Sequence, residues 1–600
     1  MKRAVWWPDV LTLIVAFGIL TAGLGGYGLY EPHEGHFAGV AREMVLRGDW
    51  ITPTLNGAPY LNKPPLVYWS IATSYSLLGI HEFAARLPLA IAAWFGVLVS
   101  WKWGRDLATP STGRVAALML ATACGWFIFV HQVLIDVLLG SLLFASYYFL
   151  WRLTGNVRHR KCWISLSISL GLCVLAKGPS MLVFPMLATL AVAGMKSPRR
   201  VFKALRLPWG LIVLLFVVLP WTIAVETANP GFLQYFLFNE NLQRIADTRF
   251  PPDYDVSKIG ALGYVGLTWL WSFPWALVLP QTVALVWKEF WRHSTRRGRS
   301  YTTALTILAV GTLSPVLLFL PLSSRLVYYG LPSVPPFVLL CALWWTQSRQ
   351  QGDRWGHQFA GILFTALGAS SIAVTFKLPV WMSATYPELI SIAISISLSI
   401  GLGCLTGGLL LLGKRRYQGF GAIAAGTIVA YVAVTQGFVQ FSGDRSSQFL
   451  IETAQTRLEE TTIWTFEGSK ELGAAGAMSY YLDRDGTAFP ETTELPTGWV
   501  RGKPGLAYPI VFVLTDGGDN RTPPAFPGQP PEYAITGDRL QELWNEDRSV
   551  VFVTDFMRQP DDPSDPISRN LPDDAGEPLI SVGSRSLYGN ATAREVWNRR

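Results

Sequence analysis

The sequence predicts an α-helical polytopic membrane protein with about thirteen transmembrane helices and a small soluble α/β domain at the C-terminal end. Half of the 600 residues are hydrophobic and only 15% are charged, which is too apolar for a soluble enzyme of this length. Apolar runs of roughly 20 residues, each long enough to cross a bilayer, recur along the first three quarters of the chain. After residue 442, proline, glycine and acidic residues replace these runs.

The predicted transmembrane helices lie near residues 8–30, 84–103, 113–131, 134–153, 162–176, 178–195, 207–226, 259–287, 301–321, 330–347, 357–379, 386–413 and 418–441. The region 162–195 also admits a different division. A basic start, Met1-Lys-Arg3, followed by an apolar run resembles a signal sequence, but no convincing small-residue cleavage site follows. We therefore expect the first run to be an uncleaved helix.

The basic residues predict the orientation of the chain. Lysine and arginine concentrate in alternate loops, such as residues 152–161, 196–206, 288–299 and 414–416, and such loops face the cytoplasm. This pattern predicts a cytoplasmic N-terminus in the inner (plasma) membrane. It also predicts that the loop 31–85 and residues 443–600 lie on the outer, periplasmic face.

Residues 443–600 are predicted to form a separate extracytoplasmic domain after a transmembrane domain of residues 1–442. They carry 15 basic and 25 acidic residues, which leaves 49 − 15 = 34 basic and 41 − 25 = 16 acidic residues for the rest. Strand-like segments at 462–466, 510–514 and 550–554 and helix-like segments at 452–459 and 472–482 predict an α/β unit. Because the excess basic charge is explained by topology, no nucleic-acid partner is expected. The five cysteines lie in or beside apolar runs and imply neither disulfides nor a cysteine metal site.

A cluster of ionisable residues follows the first apolar run. The segments are Tyr30-E-P-H-E-G-H-F-A-G-V-A-R-E-Met44 and Pro59-Y-L-N-K-P-P-L-V-Y-Trp69. Charged groups at the edge of a bilayer cost several kcal/mol unless they are paired or hydrated, so such a cluster is a candidate site. The topology places Asp136, Lys177, Arg244 and Arg325 on the same side of the membrane. If these groups meet, they form a pocket suited to an anionic lipid headgroup with a polar substituent.

These segments carry a family resemblance. Together with Gly48-D-W-I-T-P-T-L-N-G-A-P-Y-L-N-K-P-P-Leu66, Glu82-F-A-A-R-L-Pro88, Ala176-K-G-Pro179 and Ser323-S-R-L-V-Y-Y-G-L-Pro332, they resemble the aminoarabinose transferase and protein O-mannosyltransferase superfamily. The resemblance covers about residues 8–450. It implies a GT-C membrane fold, juxtamembrane helices in the first outer loop, and inverting transfer of a sugar from a polyprenyl-phosphate-linked donor. The acceptor would be an extracytoplasmic lipid, glycan or protein.

The polar residues fit the chemistry that the resemblance implies. Departure of polyprenyl phosphate develops negative charge on the phosphate, which fixed cations stabilise, and the candidates are Lys63, Lys177 and Arg325. A carboxylate can accept the proton of a hydroxyl acceptor or stabilise the cationic sugar, and Glu34 and Asp136 are the candidates. The further substrate-binding candidates are Glu31, His36, Tyr60 and Arg244.

Three positions depart from the family pattern, and one of them is Arg325, where a Lys is common. The first loop of the family typically carries an Asp-Glu pair, whereas this chain has His33 before Glu34. An imidazole with an ordinary pKa near ~6.5 can serve as the base, and an anionic acceptor such as a lipid phosphate needs no deprotonation. Asn62 stands where relatives often have an acid, which removes one ligand from any bound divalent metal. The spacing in His33-E-G-His36 also differs from that of the H-E-x-x-H metal motif.

Several candidates also have structural interpretations. Glu31 can cap the helix that Pro32 starts, and Lys63 can extend to lipid headgroups without contacting substrate. Asp136 can stabilise the N-terminus of its helix. Lys177 is expected to begin a helix, where the dipole repels a cation and a bound anion would compensate.

Two other classes of protein remain open at this stage. A lipid-linked substrate transporter or flippase would share the many helices and buried charges, but the sequence shows no two-fold hydropathy repeat. A catalytically inactive membrane scaffold would explain His33.

Overall fold

The computed structural model describes residues 6–31, 33–55, 58–155, 161–243, 259–290, 296–322, 325–347, 355–383, 386–459, 461–468, 480–482, 510–513, 534–555, 571–572, 574–583 and 585–599. The chain forms two compact units. The first unit comprises Met1–Gly23, Leu89–Pro220 and Tyr254–Gln440, and the second comprises Leu24–Pro88, Trp221–Asp253 and Phe441–Arg600. The predicted domain boundary at residues 442/443 stays a prediction.

The described residues of the first unit form helices joined by turns and short loops. Its α-helices are Trp7–Thr21, Pro110–Ala121, Cys124–Val130, Ile135–Thr154, Cys162–Lys177, Val183–Met195, Pro198–Leu205, Ala261–Leu270, Leu279–Phe290, Arg296–Phe319, Val334–Gln347, Gly356–Thr375, Leu378–Met382 and Ile390–Leu412. Short 3-10 helices are Pro179–Leu182, Trp275–Val278, Leu331–Ser333 and Pro387–Leu389. Three more helices, Glu82–Leu107, Leu207–Ala228 and Arg416–Arg445, have residues in both units.

Seven helices of the described residues are long and apolar enough to cross a membrane, and two bent helix pairs raise this number to nine. The bent pairs are Pro110–Ala121 with Cys124–Val130, at 56°, and Ala261–Leu270 with Trp275–Glu289, at 99°. The protein is therefore a multi-pass membrane protein. Each predicted apolar run contains a helix, but the count of thirteen spans is not confirmed.

The first helix is shorter than the apolar run that predicted it. The first predicted run covers residues 8–30, yet its helix ends at Thr21 after 15 residues. At about 1.5 Å per residue it is roughly 22 Å long, less than the ~30 Å hydrocarbon core. Gly23, two residues later, adopts a φ of 81°, and a left-handed glycine is a common helix terminator.

Local sequence explains how these helices begin and pack. Thr109 caps the helix Pro110–Ala121, because its hydroxyl accepts a hydrogen bond from the Thr112 N–H at 3.1 Å. Gly356–Thr375 packs closely along Ile390–Leu412. A Cβ at Gly408 would lie 2.8 Å from the Gly361 carbonyl oxygen, so only glycine permits this approach.

The second unit contains short helices and all eight described strands. Its helices are His33–Arg47, Leu66–Leu78, Phe232–Gln234, Gln448–Arg457, Gly537–Trp544 and Ala591–Arg599, with a π-helix at Tyr235–Gln243. Its strands are β1 (Thr54–Leu55), β2 (Ala58–Pro59), β3 (Ile463–Gly468), β4 (Ile510–Val513), β5 (Ala534–Ile535), β6 (Val550–Asp555), β7 (Ile580–Val582) and β8 (Arg585–Gly589). The segment 31–85, which the sequence predicted to be a loop, contains the helices His33–Arg47 and Leu66–Leu78.

Six of these strands form one mixed sheet in the order β5-β4-β3-β6-β8-β7. The strands β5, β4, β3 and β6 run parallel, whereas β8 is antiparallel to β6 and to β7. The central strands are almost continuously apolar and buried, as parallel strands covered on both faces require. Ile463, Val550 and Phe552 pack with Leu540 and Trp544 of the helix Gly537–Trp544. The predicted strands at 462–466, 510–514 and 550–554 are all present. The predicted helix 472–482 lies mostly outside the described residues.

Candidate active site

Glu34 forms a buried, bidentate ion pair with Arg86 in the second unit. Arg86 Nη2 lies 2.7 Å from Glu34 Oε2, and Arg86 Nε donates to Glu34 Oε1 at 2.8 Å. The two side chains are 1% and 0% exposed. Glu34 Oε2 also accepts the Tyr30 N–H at 2.7 Å. Both carboxylate oxygens are thus engaged by donors.

Arg86 also fixes the backbone that precedes His33. Its guanidinium donates to the carbonyl oxygens of Leu24, Tyr27 and Gly28 at 2.7 to 2.9 Å. It lies 3.8 Å from the centroid of the Tyr27 ring. Burial raises the pKa of Tyr27 and of Tyr30, with the Arg86 guanidinium acting against this increase and the Glu34 carboxylate adding to it. The turn before the helix His33–Arg47 is therefore organised around a single arginine.

Lys63 pairs with a carboxylate that sequence reasoning did not identify. Its Nζ lies 3.2 Å from Glu240 Oε2, and the side chains are 21% and 1% exposed. The single proton of the Tyr235 hydroxyl is shared between two acceptors, Asn62 Oδ1 at 2.8 Å and Glu240 Oε1 at 3.3 Å. Glu240 lies in the π-helix Tyr235–Gln243, and π-helical turns are frequent at functional sites. A carboxylate is therefore present beside Asn62, supplied from another segment of the chain.

The other candidates of the second unit occupy distinct positions. His33 begins its helix and is half-buried, while His36 is buried and its ring centroid lies 6.0 Å from that of Tyr60. Glu31 forms a buried ion pair with Arg585 and accepts a hydrogen bond from the Ser447 hydroxyl. Arg244 lies outside the described residues.

In the first unit, Lys177 and Asp136 form a second buried ion pair. Lys177 Nζ donates to Asp136 Oδ1 at 2.6 Å, and the side chains are 14% and 4% exposed. Lys177 Nζ also lies 4.7 Å from the centroid of the Tyr329 ring and 5.9 Å from that of Tyr328. The cation is thus held by one carboxylate and two aromatic faces.

The predicted helical position of Lys177 is wrong. Lys177 is the last residue of the helix Cys162–Lys177, because Gly178 follows with a φ of 111° and ends it. A cation is favourable at a helix C-terminus, so the dipole gives no reason to expect a bound anion there. Asp136 does lie in the first turn of Ile135–Thr154, as predicted, where an acid is favourable.

Arg325 anchors the backbone of its own loop. Its Nε donates to the Ile259 carbonyl at 3.0 Å, and its Nη1 donates to the carbonyls of Leu320 and Leu322. Glu34 and Lys63 belong to the second unit, whereas Asp136, Lys177 and Arg325 belong to the first. The predicted common pocket stays a prediction.

Two residues of this region were missed from the sequence. Arg86 is part of the Glu82-F-A-A-R-L-Pro88 motif, but a buried arginine in a helix gave no sign of its partner. Glu240 is 177 positions from Lys63, and no local spacing predicts such a contact. Among the residues that the structure describes, no group of three or more His, Cys, Asp or Glu side chains is arranged to hold a metal ion.

Comparisons with known proteins agree with this architecture. The family model of the dolichyl-phosphate-mannose-protein mannosyltransferases matches residues 62–223. Undecaprenyl phosphate-alpha-4-amino-4-deoxy-L-arabinose arabinosyl transferase 2 of Pseudomonas fluorescens (strain Pf0-1) is 27% identical over 556 residues, covering 89% of this chain and 90% of that protein. The transferase of the same name numbered 1 from Sodalis glossinidius is 30% identical over 342 residues, covering 55% and 58%. The crystal structure of ArnT from Cupriavidus metallidurans bound to undecaprenyl phosphate has a TM-score of 0.75 at 19% identity, covering 98% of this chain and 99% of that chain.

The fold and the relatives define an integral membrane glycosyltransferase. The chain is similar over most of its length to the aminoarabinose transferases, and in residues 62–223 to the protein O-mannosyltransferases, as the sequence motifs indicated. The predicted enzyme class and the predicted family resemblance are thereby confirmed.

Proposed function

We propose that this protein transfers 4-amino-4-deoxy-arabinose from undecaprenyl phosphate to an acceptor on the outer face of the membrane. The relatives that are similar over most of the chain bear the name of this reaction. The observation that carries the proposal is the ion pair between Lys63 and Glu240. It offers one positive and one negative group to a donor that itself has an anionic phosphate and a cationic amine.

An exchange of ion-pair partners allows Lys63 to bind the donor although it is paired with Glu240 in the free protein. Lys63 is 21% exposed, so a phosphate can reach its ammonium group, whereas Glu240 is almost fully buried. When the donor binds, Lys63 turns to the phosphate and Glu240 accepts hydrogen bonds from the sugar ammonium. Both protein charges have already lost most of their hydration in the free enzyme, so the exchange does not repeat that desolvation cost. Tyr235 keeps Glu240 in place through its hydroxyl.

The reaction is a single displacement at the anomeric carbon, with inversion. Lys63 stabilises the negative charge that develops on the departing phosphate, and Lys177 and Arg325 are the other proposed phosphate-binding cations. We assign proton abstraction from a hydroxyl acceptor to His33 rather than to Glu34, because Arg86 and the Tyr30 N–H engage both oxygens of Glu34. An acceptor that is already anionic, such as a lipid phosphate, requires no base. Asp136 is proposed to stabilise the cationic sugar, and no step is routed through a metal.

The proposed function also requires a particular membrane topology. The chain crosses the membrane thirteen times with a cytoplasmic N-terminus, and the loop 31–85 and residues 443–600 lie on the outer face. The acceptor is a lipid, glycan or protein exposed there, and membrane lipids surround the donor's isoprenoid tail.

A donor comparison in proteoliposomes tests the proposed sugar. Undecaprenyl phosphates that carry 4-amino-4-deoxy-arabinose or arabinose, which has a neutral 4-hydroxyl, are offered to the wild type and to Glu240→Gln. Because a hydrogen bond to a charged group is worth about 1.5–3 kcal/mol, the wild type should prefer the amino sugar by roughly 10- to 150-fold in kcat/KM. Glu240→Gln should lose most of this preference.

Glu226→Gln is the matched control, because Glu226 is a carboxylate of the same unit that accepts hydrogen bonds from the Gly231 and Leu233 N–H groups. It should keep the preference of the wild type. If the wild type transfers arabinose and not the amino sugar, the proposed donor is wrong. If the wild type prefers the amino sugar and Glu240→Gln does so equally, the donor stands and the role of Glu240 is wrong.

A further inference from the structure

Residues 28–31, the turn that leads into the catalytic helix His33–Arg47, are held by the C-terminal part of the second unit. The Gly28 N–H donates to Ser442 Oγ at 3.0 Å, and the Leu29 N–H donates to the Tyr481 hydroxyl at 2.6 Å. The Glu31 N–H donates to the Arg445 carbonyl at 2.9 Å. Three of the four backbone N–H groups of this turn thus have partners between residues 442 and 481, and the fourth, that of Tyr30, is bonded to Glu34.

The side chain of Glu31 also joins this turn to the six-stranded sheet. Glu31 Oε2 pairs with Nη2 of Arg585 on β8, and the two side chains are 3% and 5% exposed. The Ser447 hydroxyl donates to Glu31 Oε1 at 2.5 Å, and Arg585 Nη1 donates to the Asp444 carbonyl at 3.2 Å. Glu31 is two residues before His33. A displacement of this ion pair therefore moves the start of the catalytic helix.

The close approach at Gly28 supports this tight junction. A Cβ at position 28 would lie 2.9 Å from Ser446 Cβ, which real Cβ atoms essentially never show. Any larger residue would push the turn away from residues 442–448. The junction is thus specified by shape as well as by charge.

The burial of the Glu31 and Arg585 pair needs an explanation other than stability. Desolvating two charges often offsets their attraction, so a buried ion pair contributes little net stability compared with apolar residues of the same size. Such a pair does impose one geometry, since each charge is strongly disfavoured without its partner.

We propose that the C-terminal domain is part of the transfer machinery and that Arg585 is its positioning residue. Through Glu31, Arg585 sets the place of His33 and Glu34 relative to the bound donor. The inference rests on the proposed function for its catalytic consequence. It also makes a structural statement that holds whatever sugar is transferred.

The test uses the full-length protein in proteoliposomes, with Arg585→Gln, Arg585→Lys and the charge reversal Glu31→Arg/Arg585→Glu. Arg585→Gln should lower kcat per folded enzyme at least tenfold, while the KM for the donor changes less than threefold, because Lys63 lies in a different turn. The charge reversal should recover at least half of the lost activity on a logarithmic scale. The kcat of Arg585→Lys, which keeps the charge but not the second hydrogen bond, should lie between that of Arg585→Gln and that of the charge reversal. This variant provides the test if Arg585→Gln does not fold.

Amide hydrogen exchange provides a readout that does not depend on the donor. Arg585→Gln should speed exchange at Gly28, Leu29 and Glu31 at least tenfold. Arg539→Gln is the control, since Arg539 pairs with Glu542 on the exposed surface of the same domain. It should change neither exchange at these amides nor kcat.

The outcomes separate the two proposals. If the wild type does not transfer the amino sugar but the exchange result is as expected, the proposed donor fails and the positioning of the turn stands. If Arg585→Gln lowers only the fraction of folded protein, with kcat per folded enzyme and exchange at residues 28–31 unchanged, the inference is overturned.

Discussion

The ion pair between Glu34 and Arg86 allows a quantitative test of the role of Glu34. Replacing Glu34 with glutamine keeps the shape of the side chain and removes its charge. Arg86 donates five hydrogen bonds, and three of them, to backbone carbonyls, survive the substitution. Glutamine can accept at only one of its two terminal atoms, so at least one bond to Arg86 or Tyr30 is lost. The substitution isolates the charge and that bond.

The expected loss of stability follows from these contacts. Removing one partner of a buried ion pair costs about 3–5 kcal/mol, because an uncompensated charge stays buried. The three remaining carbonyl contacts of Arg86 favour the lower end of this range, about 3 kcal/mol. Glu34→Gln and Arg86→Gln should each approach this loss. The double variant should be more stable than the sum of the two losses predicts by roughly 2 kcal/mol, because neither charge is then unpaired.

Equilibrium or thermal unfolding in detergent, followed for the wild type, both single variants and the double variant, measures this coupling. Glu595→Gln is the control, since Glu595 and Arg599 form an exposed pair one helical turn apart, worth about 0.3–0.5 kcal/mol. Transfer is measured per folded enzyme in the same samples. A Glu34→Gln variant that is as stable as the wild type but has no transfer activity would refute the reasoning and return Glu34 to the role of base.

Three further predictions concern other groups of the site. His33→Ala should lower transfer to a hydroxyl acceptor by roughly 10²- to 10⁴-fold and leave transfer to a phosphate acceptor nearly unchanged. His33→Asp should retain transfer to both acceptors. Equal losses with both acceptors in His33→Ala would contradict a base at this position. Lys177→Met should destabilise the protein by about 3–5 kcal/mol because Asp136 stays buried without its cation, and adding Asp136→Asn should recover most of the loss in the same unfolding assay. Because burial raises the folded-state pKa of Tyr27 and Tyr30 above the ordinary value near ~10, the contribution of these tyrosines to stability should be fully present below about pH 10 and be lost as the pH rises above it. Tyr27→Phe should therefore reduce the slope of the thermal midpoint between about pH 10 and 11.

The fold was largely predictable because its main signals are local. Apolar runs and charge alternation depend only on neighbouring residues, and each run contains a helix. The predicted strands of the C-terminal sheet rested on equally local apolar segments. The position of Lys177 was misjudged because the following Gly-Pro can end one helix or precede the next, and only the backbone angle of Gly178 decides between them.

The site was less predictable because its partners are distant in sequence. Glu34, Lys63 and Asp136 are candidates from the sequence because charged residues beside apolar runs stand out, and their roles stay predictions. The groups that pair with them come from elsewhere, as Glu240 does for Lys63 and Arg585 does for Glu31. A pairing across hundreds of residues depends on the folded chain, and no spacing rule encodes it.

The most direct test of the account is a structure of the full-length protein with undecaprenyl-phosphate 4-amino-4-deoxy-arabinose bound and no acceptor present. The account predicts the phosphate within hydrogen-bonding distance of Lys63 Nζ and the sugar ammonium at the Glu240 carboxylate, with the ion pair of the free enzyme separated. A donor bound while Lys63 and Glu240 remain paired with each other would contradict it.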